Sequence, residues 1–178
     1  MNDGTLLRMR FALIAAEWNE SLVSSLIEGA RGALFGLGVP EQNIDVVRVP
    51  GSFEVPQGAL YAAQSGHYDA VIGLGVLIRG ATLHFDVIAR EAASGLGSVT
   101  RMTGVPAAFG IVTAENETQA LARCGGALGN RGADAALAAA DMALLRTKLL
   151  SASPNTHSEN GENCAEPRQH GHRARTGR

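Results

Sequence analysis

Four short apolar runs, each followed by a stretch of helical periodicity, set the rhythm of this chain. They fall at Arg10–Ala16, Ile44–Val49, Ala70–Val76 and Pro106–Val112. Strands that alternate with helices bury all their apolar faces when the strands lie parallel and the helices cover both sides. The third run is apolar on both faces, as the centre of such a sheet requires. The order βαβαβαβαα therefore predicts an α/β fold: a three-layer sandwich, with a four-stranded parallel sheet between helices on both faces.

The helical stretches carry their own start and stop signals. After the first run, Asn19 is a candidate N-cap for a helix over 19–36, with Leu22, Val23, Leu26, Ile27, Ala30 and Leu34 on one face and Gly36 and Gly38 as stops. Pro50-Gly51 turns the chain after the second run, and a helix over 53–65 tolerates Pro56 in its first turn. A third helix is expected over 82–102. Asn116–Cys124 and Asn130–Leu150 read as the last two, separated by a glycine-bearing loop.

At Ser151 the composition changes, because residues 151–178 contain no Val, Ile, Leu, Phe, Trp or Tyr. Such a segment cannot bury enough apolar surface to offset the entropy of ordering it, and is expected to be disordered. His157, His170 and His172 with Cys164 could be read there as a metal tract, but their spacing is irregular and disorder is the simpler reading. The expected organisation is one domain over 1–150 and a disordered C-terminal tail over 151–178.

Composition narrows the chemistry. With 15 basic and 17 acidic side chains, a net charge of -2 and no basic run before the final dozen residues, the chain offers no electrostatic footprint for nucleic acid. Lys148 is the single lysine, which argues against a lysine Schiff base. Cys124 and Cys164 make neither a disulfide framework nor a zinc spacing. No apolar stretch approaches the roughly 20 residues of a membrane-crossing helix. The run after Arg8 and Arg10 is too short for a signal peptide, so a cytoplasmic location is expected.

In open α/β sheets, ligands sit beyond the carboxyl ends of the strands, near helix N-termini. The residues that follow the runs are therefore the candidates. Trp18 suits stacking on a planar ligand, although an ordinary buried aromatic would read the same way. His84 is a credible proton shuttle or, taken alone, a structural histidine. Arg79-Gly80-Ala81-Thr82 opens the third helix with a glycine, a hydroxyl and the positive end of a helix dipole, all suited to an anion. The dinucleotide fingerprint fails, since Gly73-Leu-Gly75 has Ile78 where a third glycine should stand, and P-loop, H-E-x-x-H and G-x-S-x-G motifs are absent.

Several motifs then fall in a familiar order: A-E-W-N at 16–19, V-P-G-S-F-E-V-P at 49–56, G-L-G-V-L-I-R-G-A-T-L-H-F-D at 73–86, F-G-I-V-T-A-E-N at 109–116 and G-N-R-G-A-D at 129–134. Over residues 10–149 the chain resembles the 6,7-dimethyl-8-ribityllumazine synthases of riboflavin biosynthesis. The resemblance implies a flavodoxin-like sheet and a condensation of 5-amino-6-ribitylaminouracil with 3,4-dihydroxy-2-butanone 4-phosphate, without metal or organic cofactor. The amine comes from the substrate, so the lack of a pocket lysine is harmless.

Carried over by position, the resemblance makes His84 the proton shuttle. Trp18 and Phe109 would flank the pyrimidine ring, Asn19, Ser52 and Glu54 would bind the ribityl chain, and Phe53 would add an apolar wall. The backbone of Val76, Leu77 and Ile78 would read the pyrimidine edge. Gly80, Ala81 and Thr82 would cradle the phosphate, with Arg123 paired to it. In this family Phe109 and Arg123 reach the site from a neighbouring subunit, which implies a homopentamer as the smallest catalytic unit.

Departures from the family pattern are Arg131, where members often carry lysine, and Trp18, where many have phenylalanine. Arg131 remains a candidate site residue, but arginine is not a neutral exchange for lysine. The short linker Cys124–Gly129 resembles that of members that assemble twelve pentamers into a hollow 60-subunit shell, and association with riboflavin synthase is a further partner the resemblance suggests. Two rival readings keep the same residues: a non-catalytic carrier of a flavin-pathway ligand, and a shell whose assembly is itself the function.

Overall fold

The computed structural model describes residues 4–151. The sequence expectations for 152–178, including the metal tract, lie outside the described residues. Four parallel strands, β1 (Phe11–Ala16), β2 (Ile44–Val49), β3 (Ala70–Ile78) and β4 (Ala107–Ala114), form one sheet in the order β2-β1-β3-β4. Five helices connect and follow them: α1 (Glu20–Gly36), α2 (Val55–Gln64), α3 (His84–Thr103), α4 (Glu117–Arg123) and α5 (Arg131–Ser151). This is the three-layer α/β arrangement expected from the alternating runs, with the flavodoxin-like sheet that the family resemblance implies.

Alternation along the central strands builds two cores. Phe11, Leu13 and Ala15 of β1 join Ile72 and Leu74 of β3 under α1 and α5, whereas Ala12, Ile14 and Ala16 join Val71 under α2 and α3. Successive side chains of a strand point to opposite faces, so a strand buried on both sides must be apolar throughout, as β1 is. Each fully buried leucine or isoleucine contributes about 1.5–3 kcal/mol relative to exposure.

Small residues let the layers close. A Cβ on Gly73 of β3 would lie 2.7 Å from both Leu96 of α3 and Val55 of α2. On the other face, α1 and α5 meet at a joint made by Asn130 and Gly132. Asn130 Nδ2 donates to the Ser25 carbonyl at 2.8 Å, and its Oδ1 accepts from the backbone N–H groups of Gly132 at 2.9 Å and Ala133 at 3.1 Å. A Cβ on Gly132 would press on the Leu26 carbonyl oxygen itself.

The structure departs from the sequence reading at element ends. The third strand runs two residues further, to Ile78, and the third helix starts at His84 rather than Thr82. Within the expected linker the chain pairs with itself as a short antiparallel hairpin, β5 (Cys124–Gly126) with β6 (Gly129–Asn130). Asn19 does not cap α1 through its side chain: it adopts a left-handed backbone, φ +59° and ψ +46°, and its amide goes elsewhere. Among the described residues no helix is long and apolar enough to cross a membrane.

Candidate active site

A cleft of about 620 Å³ opens over the carboxyl ends of β1, β2 and β3. Trp18 and Asn19 enter it from the end of β1, Gly51, Ser52, Phe53 and Glu54 from the end of β2, and Val76, Leu77 and Ile78 from β3. His84, Val87 and Ile88 close it from the first turn of α3. The fold therefore brings nine of the expected residues into one wall, Trp18, Asn19, Ser52, Phe53, Glu54, Val76, Leu77, Ile78 and His84, with Gly80, Ala81 and Thr82 on the adjoining loop. Val87 and Ile88 are lining residues that the sequence reading does not include; they lie three and four positions beyond His84, one helical turn along the same face.

The floor is tied across strands. Asn19 Nδ2 donates to the Val76 carbonyl at 2.9 Å, and the Glu17 N–H donates to the Val49 carbonyl at 2.9 Å, so the ends of β1, β2 and β3 are held together. Asn19 is the sole non-glycine residue with positive φ among the described residues. A left-handed conformation is tolerated by asparagine better than by most side chains, and here it turns the amide across the sheet rather than along α1.

Ser52 is buried, and a Cβ on Gly75 would lie 2.5 Å from its Oγ, so the absence of a side chain in β3 makes room for the hydroxyl. Glu54 begins α2 without spending its side chain on a cap, and its Oε2 would stand 3.1 Å from a Cβ on Gly51. Trp18 and Phe53 are exposed aromatics at the mouth, 76% and 52% accessible. The cleft thus offers flat apolar faces, an amide, a hydroxyl and a carboxylate, with an imidazole at one end.

Residues 79–83 run from the β3 end to His84, and Thr82 Oγ1 accepts from the His84 N–H at 3.4 Å. A Cβ on Gly80 would meet no protein atom within 4 Å, and Gly80 has no positive φ. Its missing side chain therefore serves neither packing nor backbone conformation, and leaves bare backbone beside the N-terminus of α3.

Phe109, Arg123 and Arg131 do not line this cleft. Phe109, 44% exposed on β4, lines a groove of about 460 Å³ together with Arg131, which pairs with Asp134 at 2.8 Å. Arg123 ends α4 and donates to the Gln119 carbonyl at 2.9 Å. Among the described residues no group of three or more His, Cys, Asp or Glu could hold a metal ion.

A sequence profile of the family described as 6,7-dimethyl-8-ribityllumazine synthase matches residues 8–147. The chain belongs to the 6,7-dimethyl-8-ribityllumazine synthase family. One relative, a protein of that description from Chlorobium luteolum (strain DSM 273 / BCRC 81028 / 2530), is 48% identical over 133 residues, covering 75% of this chain and 86% of the relative. As a lumazine synthase family member the chain is an enzyme of riboflavin biosynthesis, a transferase with small-molecule substrates. The cleft, the 79–83 loop and the Phe109 groove all fall within the span matched to the lumazine synthases.

Proposed function

We propose that this cleft condenses 5-amino-6-ribitylaminouracil with 3,4-dihydroxy-2-butanone 4-phosphate to give 6,7-dimethyl-8-ribityllumazine, inorganic phosphate and two waters. The observation that carries the assignment is the meeting, at His84, of the cleft and the 79–83 loop. One end has planar apolar faces and hydrogen-bonding groups for a ribityl-substituted pyrimidine, and the other has His84 beside bare backbone at a helix N-terminus.

The chemistry divides along the same line. The substrate's amine attacks the ketone and loses water to form an imine, phosphate leaves, and the second ring closes with loss of another water. His84 moves protons between these steps, within reach of the cleft. Val76, Leu77 and Ile78 read the pyrimidine edge, Trp18 and a neighbouring subunit's Phe109 flank the ring, Phe53 adds an apolar wall, and Asn19, Ser52 and Glu54 hold the ribityl hydroxyls. Gly80, Ala81 and Thr82 accept the phosphate on backbone N–H groups, where the helix dipole favours an anion.

Phe109 and Arg123 act in this reading from a neighbouring subunit, and a homopentamer supplies each cleft with both. What supports it is that both lie within the matched span yet neither lines its own chain's cleft. Residues 1–150 are proposed to be the lumazine synthase domain of each subunit. Incubating the purified protein with both substrates, while following the lumazine chromophore and released phosphate, tests the assignment. Tight ligand binding with no product above the uncatalysed rate would replace it with the carrier reading.

A further inference from the structure

None of residues 79–84 is buried, so apolar packing does not hold the loop that carries Gly80, Ala81 and Thr82. An ionic fork holds it instead. Arg79 NH1 donates to Asp86 Oδ2 at 2.9 Å and NH2 to Oδ1 at 3.2 Å, while Nε donates to Glu115 Oε2 at 2.7 Å. The Arg79 N–H donates to the Ala114 carbonyl at 2.9 Å, and the guanidinium lies 4.3 Å from the Phe85 ring centre. One side chain thereby joins the end of β3, the end of β4 and the first turn of α3.

Isolated surface ion pairs contribute little, but a two-pronged arginine–carboxylate contact inside a three-member network fixes geometry as well as charge. Hydrogen bonds from Arg79 hold the Asp86 carboxyl below the usual carboxylate range, and the two carboxylates push the guanidinium up, so the Arg79–Asp86 pair stays charged through neutral pH. Two acids facing one cation also leave Arg79 a poor phosphate ligand, although it directly precedes Gly80.

We propose that Arg79 is a positioning residue, which by bridging Asp86 and Glu115 sets the 79–83 loop and His84 against the cleft. The inference rests on the phosphate end proposed above. Loosening the fork leaves the pyrimidine subsite, built on the strand ends, in place. It displaces the phosphate backbone and the imidazole together, and misplacements of about 1 Å cost on the order of 100-fold.

Arg79→Gln tests this through a split between substrates. Its KM for the phosphorylated substrate is expected to rise roughly 10- to 100-fold with a fall in kcat. KM for the pyrimidine, assembly size and thermal midpoint should hold. Arg79→Lys, which keeps the charge without the fork, should fall between the two. Unchanged KM for the phosphorylated substrate, or equal loss for both substrates with a lowered thermal midpoint, would overturn the role. Should Arg79→Gln fail to assemble, Asp86→Asn is judged by the same criteria.

Titration of wild type and Arg79→Gln with inorganic phosphate, followed by phosphorus NMR, needs no turnover. Weaker phosphate binding by the variant, in a protein that makes no lumazine, would sink the proposed reaction and keep the positioning role. Equal binding by both would sink the positioning role in an active enzyme.

Discussion

At the scale of single residues, His84 and Asn19 separate chemistry from architecture. His84 is exposed and belongs to neither hydrophobic core, so its imidazole can be removed without disturbing the packing. His84→Ala should slow turnover about 10-fold to 10⁴-fold, the general acid–base range, with assembly unchanged. Wild-type rates would remove it from the mechanism. Asn19, beside its proposed contact with the ribityl chain, carries an architectural bond. Asn19→Ala loses the bond to Val76 and puts alanine in a left-handed conformation, for an expected loss of about 1–3 kcal/mol in denaturant unfolding. Asn19→Gly relieves the backbone term and should cost less; an equal cost would mean that the left-handed geometry carries no strain. The sequence marks Asn19 as important but suggests the wrong partner, because a residue just after a strand and before a helix looks like an N-cap whenever the neighbouring strand is out of view.

Among the elements, the alternation of runs was sufficient to read the layers, since period and apolar content depend on local sequence. The ends were less legible. Whether β3 stops at Val76 or Ile78 is decided by pairing with β4, where Leu77 faces Thr113 and Ile78 faces Ala114, and no local signal reports that partner. The Gly129–Asp134 motif illustrates the same limit: Asn130 and Gly132 are recognisable family residues, and the contacts they make join α1 to α5. Gly132→Ala should therefore destabilise more than Gly73→Ala. Overpacking typically costs about 1–3 kcal/mol; the side chains around Gly73 can shift, whereas the Leu26 backbone against Gly132 cannot without bending α1. A smaller loss for Gly132→Ala by chemical denaturation would contradict this account of the joint.

For the whole molecule, the cleft is built by one chain and its proposed completion comes from another. Phe109 and Arg123 were legible as family residues, but a chain viewed alone cannot show what they touch. Co-expression supplies a direct check. His84→Ala and Arg123→Ala subunits, each poorly active alone, should regain activity in mixed assemblies. A site drawing His84 from one chain and Arg123 from the next is intact in about a quarter of random neighbours at equal mixing. No recovery in assemblies shown to contain both variants would overturn the shared site.

Trp18 gives this protein a built-in optical reporter. It is the single tryptophan of the chain, and it stands at the mouth of the cleft with 76% of its surface accessible. An indole already in water changes its surroundings little when the chain unfolds, but greatly when a planar ligand or a neighbouring subunit covers it. Its emission should accordingly follow occupancy and assembly while remaining nearly silent to denaturation of the isolated subunit, so that a blue shift on titration can be read as filling of the site without any label.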